Sequence, residues 1–93
     1  KRQVYILTNK NNTVLYVGVT SDLMKRMEQH KTKFYKGFSS RYNCDRLVYY
    51  RAFEDIREAI LYEKKLKAGN RANKEKLIDE MNPEWKDLTE EWE

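Results

Sequence analysis

The first twenty residues constrain the fold most. "QVYILT" at 3–8 is β-branched and aromatic, "NKNN" at 9–12 is turn chemistry, and "TVLYVGV" at 13–19 is a second β-rich run. Two such runs joined by turn residues predict an antiparallel hairpin. A four-residue loop, Asn9–Asn12, pairs Thr8 with Thr13 and sets Tyr5 directly opposite Tyr16. Opposed residues of an antiparallel pair share one face of the sheet. Two phenols then lie side by side, as a packing pair or as part of a site; the hairpin alone leaves both open.

Helical signals follow. "TSD" at 20–22 supplies N-cap candidates for a helix over about 22–31. On a 3.6-residue wheel Leu23, Met24 and Met27 form its apolar stripe. Arg26 and His30, the chain's one histidine, stand four apart on one edge of that stripe. Residues 32–45 read as an irregular loop. There Lys31, Lys33, Lys36 and Arg41 alternate with Phe34, Tyr35, Phe38 and Tyr42. Cations interleaved with flat rings suit a strand of nucleic acid. The same rings also suit pinning the loop to its own domain.

"RLVYYRAF" at 46–53 is a third strand, and a helix over 54–68 follows. The inward arc of that helix collects Tyr62, Leu66, Ala59, Ile56 and Ile60, with Glu63 inside it. A carboxylate aimed at a core is costly unless it is paired or binds a metal. Glu63 is therefore either the partner of an arginine such as Arg26 or a metal ligand at the floor of a cleft. Gly69 ends the helix, "RANKEKLIDEM" at 71–81 forms another, and "NP" at 82–83 stops it. The order β-β-α-β-α-α predicts an α+β fold: a small three-stranded antiparallel sheet flanked by about three helices.

Ninety-three residues suit one domain, 1–93, whose end, 82–93, is an acidic tail. Residues 1–76 carry a charge balance of +10 and residues 77–93 one of −6. A basic body is the electrostatic footprint of a polyanion partner, supplied by Arg71 and Lys74 as well as the loop. The tail either folds back on that body or solubilises the chain end. One cysteine, Cys44, excludes a disulfide framework and a cysteine-based zinc site. No apolar run approaches the roughly 18 residues of a membrane span. A strand pattern begins almost at once, so no leader is expected, and a cytoplasmic protein is the simplest expectation.

Tyr5, Tyr16, Gly18, Arg26, His30 and Glu63, in that order, resemble the GIY-YIG nuclease superfamily. Gln3-Val4-Tyr5 resembles its first motif and Tyr16-Val17-Gly18 its second. Arg26, eight residues after Gly18, resembles the helical arginine, and Glu63 in "YEKKLK" the metal-binding glutamate. The resemblance spans residues 3–88 and is to the small standalone members, endonuclease-like or of the UvrC catalytic-domain type. It departs at Gln3, where the family has glycine, and at Asn73, where the small members carry lysine.

The resemblance implies hydrolysis of DNA phosphodiester bonds with one divalent metal ion, Mg²⁺ or Mn²⁺, of the kind used in DNA repair. It implies no organic cofactor, and a monomer is the default expectation. Glu63 would hold the metal and Arg26 would meet the charge of the transition state. Tyr5 is favoured as general base, with Tyr16 orienting water or phosphate. His30 would assist proton transfer or bond the phosphate. Lys31, Lys33, Lys36, Arg41, Tyr42, Arg71 and Lys74 would grip DNA, giving a preference for structure rather than sequence. The competing expectation is a nucleic-acid-binding module that has the fold but little or no activity.

Overall fold

Val4-Tyr5-Ile6-Leu7 is an unbroken apolar run, which is what a strand covered on both faces requires. It forms the middle of β1 (Arg2–Thr8), and all four residues are buried. The computed structural model describes residues 1–32 and 37–92 of the chain. β1 is flanked by β2 (Leu15–Thr20) and β3 (Arg46–Phe53) in an antiparallel sheet of order β2-β1-β3. The helices are α1 (Leu23–Lys31), α2 (Phe38–Arg41), α3 (Ile56–Ala68) and α4 (Arg71–Met81), and a 3₁₀ turn, Leu88–Glu91, closes the chain. The expected three-stranded α+β architecture is the one observed. Among the described residues no helix is long and apolar enough to cross a membrane.

The sheet divides the core. Val4, Ile6, Val17, Val48 and Tyr49 pack with Ala59 and Leu66 of α3 and Ile78 of α4. Tyr5, Leu7 and Leu47, on the other face, pack with Leu23 and Met27 of α1 and with Cys44. Burial pushes the Cys44 thiol up to about 11, so this cysteine acts as a small packing residue.

The hairpin register differs from the expected one. Tyr5 pairs with Gly18, Tyr16 with Leu7, and Thr8 with Leu15. The loop is longer because Asn9 replaces the strand partner of Thr13 and Val14. Its Oδ1 accepts from both backbone N–H groups, at 2.8 and 3.1 Å. β3 carries a bulge: Ile6 pairs with Tyr49 but Leu7 with Leu47, so Val48 is the extra residue and shares the α3 face with Tyr49. The buried Asn82 amide donates to the Val48 carbonyl at 3.2 Å and so satisfies the bulge.

The helices correct three further expectations. α1 is capped by Asp22, whose side chain accepts from the Lys25 N–H. It buries Leu23, Met27 and His30, while Met24 is 66% exposed. His30 thus takes the place in the stripe that Met24 was expected to fill. The loop at 32–45 contains α2, held by the Cys44 N–H donating to the Ser39 carbonyl at 2.8 Å. α3 buries Ala59 and Leu66 but leaves Ile56 and Ile60 exposed, because its inward face is centred closer to Tyr62.

The acidic end folds back. Asp87 pairs with Lys31 at 2.6 Å and accepts from the Leu47 N–H of β3 at 3.3 Å. Trp92 meets Tyr50 edge-on, with ring centroids 6.5 Å apart. Trp85 packs on the α3 side of the core.

Candidate active site

The site begins with a missing side chain. Gly18 lies in β2 opposite Tyr5, and the Tyr5 ring is laid across it. A Cβ at residue 18 would stand 2.5 Å from the Tyr5 Cζ, so nothing larger than glycine fits without moving the phenol. The structure gives a mid-strand glycine whose φ is not left-handed and whose role is to make room.

The phenol then reaches α1. Tyr5 Oη and His30 Nε2 are 3.1 Å apart, and His30 Nδ1 is 2.9 Å from Ser39 Oγ on α2. All three residues are buried, with Tyr5 0% and His30 4% exposed. Burial first, and the nearby Arg26 guanidinium second, push His30 down from 6.5 to about 4. The ring is neutral at pH 7 and therefore carries one donor and one acceptor nitrogen.

Tyr16 is the outer member of the cluster. Its ring centroid lies 6.5 Å from that of Tyr5 and 5.6 Å from that of His30. Tyr5 and His30 are 5.8 Å apart by the same measure. Tyr16 is only half-buried, in contrast to Tyr5. It lines an open cleft along the outer edge of β2 with Leu15, Val17, Lys67 and Lys74.

Arg26 is one turn before His30 and half-buried. It lines a second, polar cleft with Thr20, Ser21, Asp22, Lys25 and Gln29, at the start of α1. Glu63 comes from α3. Its side chain is 15% exposed and accepts the Lys67 ammonium at 2.8 Å. Lys67 is thus the link between Glu63 and the cleft that holds Tyr16. The α1 side brings Tyr5, Tyr16, Arg26 and His30 together; Glu63 approaches from the helix beneath the sheet.

Several expected DNA contacts hold partners inside the fold. Lys31 donates to Asp87 and, at 2.9 Å, to the Asp45 carbonyl. Arg71 pairs with Glu75 and donates to the Asn12 and Thr13 carbonyls at 2.5 and 3.0 Å. Lys74 donates to the Gly69 carbonyl at 3.0 Å, at the end of α3. Arg41 and Tyr42 are exposed at the end of α2. Lys33 and Lys36 lie outside the described residues. Sequence reasoning missed Ser39, nine residues from His30 with nothing local to announce the contact. It also left out Lys25, which lines the polar cleft with Arg26.

Known proteins resemble the chain as a whole. A family model described as the GIY-YIG catalytic domain matches residues 1–76. The solution NMR structure of the UPF0213 protein BH0048 from Bacillus halodurans is similar, at 27% identity and a TM-score of 0.60. That match covers 98% of this chain and 96% of that one. No curated protein matches the chain with comparable significance.

Proposed function

This chain belongs to the GIY-YIG family of nuclease domains, and from that premise we propose that it hydrolyses DNA phosphodiester bonds with the help of one divalent metal ion, selecting DNA by shape rather than by base sequence. The observation that supports this most is the cluster of Tyr5, Tyr16 and His30 rings over Gly18, with Arg26 one turn along the same helix.

The difference in burial of the two phenols supports the reverse of the division favoured under the resemblance. Tyr16, half-buried and lining the cleft, is the phenol that meets water and phosphate; after losing its own proton to solvent it takes the proton from the attacking water as the phenolate. Tyr5, wholly buried, is the support beneath it. Arg26 sets a fixed positive charge where negative charge gathers in the transition state.

Glu63 suits a weakly held, hydrated cation. Its carboxylate is half-buried and already partners a cation, the Lys67 ammonium. Among the described residues no group of three or more His, Cys, Asp or Glu side chains could hold a metal. One carboxylate, completed by water and substrate oxygens, suits Mg²⁺ or Mn²⁺. When bound, such an ion neutralises a phosphate oxygen and stabilises the leaving oxygen. Lys67 would release Glu63 and swing toward the phosphate in the cleft it lines.

Among the described residues, Lys25 on α1 and Arg41 on α2 are exposed cations, and Arg26 on α1 is half-buried. They grip phosphates, and phosphate contacts carry no base sequence. The test is cleavage of linear, flapped and branched DNA with Mg²⁺, Mn²⁺ or chelator. Metal-dependent cutting of branched DNA is expected, reduced about 100-fold or more in Glu63→Ala and in Arg26→Ala. Cutting that persists in both variants would remove the site. Binding without cutting in any metal would make the chain a nucleic-acid-binding module.

A further inference from the structure

Tyr5 Oη, the His30 ring and Ser39 Oγ form a buried chain with links of 3.1 and 2.9 Å. The neutral ring brings one N–H and the two hydroxyls bring one O–H each. Three protons serve two links, so one proton must leave the chain at one end. Only two arrangements satisfy both links. In one, Ser39 donates to Nδ1, Nε2–H donates to Tyr5, and the phenol keeps its own proton for a partner beyond the two links. In the other, Tyr5 donates to Nε2, Nδ1–H donates to Ser39, and the spare proton leaves on the buried α2 side.

We propose that Ser39 is a positioning residue: its hydroxyl donates to His30 Nδ1, fixes the ring proton on Nε2, and turns every donor of the chain toward the Tyr16 cleft. One observation favours this direction. Tyr5 sits next to Tyr16, where the proposed reaction gathers negative charge, and an anion there is met by an O–H rather than a lone pair. Linked donors aligned in one direction also polarise one another. The two links stand on the geometry alone; their direction and its effect on rate rest on the nuclease reading above.

A single histidine makes the test direct. The imidazole nitrogens of ¹⁵N-histidine-labelled protein are observed at pH 7.5, where a protonated and a bare nitrogen differ widely in shift. Wild type and Ser39→Thr should carry the proton on Nε2. Ser39→Ala should move part of the population to Nδ1, because Tyr5 can then donate to Nε2. In cleavage assays Ser39→Ala should lower kcat about tenfold at unchanged KM, the low end of what an imidazole's outer partner contributes at metal-ligating histidines. Ser39→Thr should restore kcat. A wild-type proton on Nδ1, or nitrogen shifts unaltered by Ser39→Ala, overturns the proposal. Should no variant cut DNA, the nuclease reading fails while the nitrogen shifts still decide the tautomer.

Discussion

Gly18→Ala isolates the contact on which the phenol cluster is built. The added Cβ would stand 2.5 Å from the Tyr5 Cζ and 3.0 Å from Cε1, well inside van der Waals contact. Tyr5 is wholly buried, so its ring cannot swing into solvent. Overpacking of this kind costs about 1–3 kcal/mol. Moving the phenol also stretches its link to His30, a loss of about 0.5–1.5 kcal/mol. Restricting the unfolded chain returns about 0.4–1 kcal/mol, since the Gly18 φ is not left-handed and alanine can adopt it. The net expectation is a destabilisation of about 1.5–3 kcal/mol, on the order of 10 °C in Tm for a domain of this size.

Urea denaturation at constant m measures it, and a double-mutant cycle with Tyr5→Phe gives it meaning. Tyr5→Phe removes the phenol oxygen and its link to His30 together, while the Cζ contact with the new Cβ remains. Gly18→Ala should therefore cost at least about 1 kcal/mol less in the Tyr5→Phe background. Effects that add within about 0.5 kcal/mol would show that the two residues do not meet as described. A neutral Gly18→Ala in the wild-type background would refute the steric argument outright.

His30 should make stability pH-dependent. Its ring protonates at about 4 when folded and 6.5 when unfolded, so the unfolded chain binds more protons between those values. Stability is full above pH 6.5 and falls as pH drops toward 4, by about 2 kcal/mol between pH 7.5 and 5. Urea melts should show this slope, and His30→Gln should flatten it. Asp87 holds the tail to the body. Burial works to raise its carboxyl, but hydrogen bonds from Lys31, Thr89 and Leu47 outweigh that and hold it below the usual range. Asp87→Ala leaves the Leu47 N–H and the Lys31 ammonium without this partner and should cost about 1–3 kcal/mol. Hydrogen exchange should accelerate at Leu47 and over 88–92; unchanged protection there would free the tail from this role.

How much was legible depended on whether an error kept parity. The expected register paired Tyr5 with Tyr16, and the true one pairs Tyr5 with Gly18, two residues further along. A slip of two leaves side chains on the same face, so both phenols still share one. The wheel for α3 erred by rotation, turning Ile56 and Ile60 inward, yet Glu63 remained at the flank of the buried face. What no local pattern revealed were contacts fixed by tertiary packing. Ser39 meets His30 because α2 forms, and Asn82 meets Val48 because β3 bulges.

The cations show the same limit, with a consequence for binding. Lys31, Arg46, Arg71 and Lys74 all count toward the +10 of the body, and each donates to a backbone carbonyl of another segment or a helix end. A domain this small has a modest core, so cations that tie loops and caps carry part of its stability. Arg46 alone joins the Asn9 carbonyl, the Asn12 side chain and the Trp85 carbonyl, which fastens the hairpin loop to the tail. Net charge therefore overstates the charge that the proposed nuclease would present to DNA. Among the described residues, Lys25, Arg26 and Arg41 stand on the α1 side of the phenol cluster, on α1 and α2, the two helices that hold His30 and Ser39. The proposed phosphate grip and the proposed polarised chain beneath Tyr16 thus share one support, and a change that unseats α2 should weaken both together.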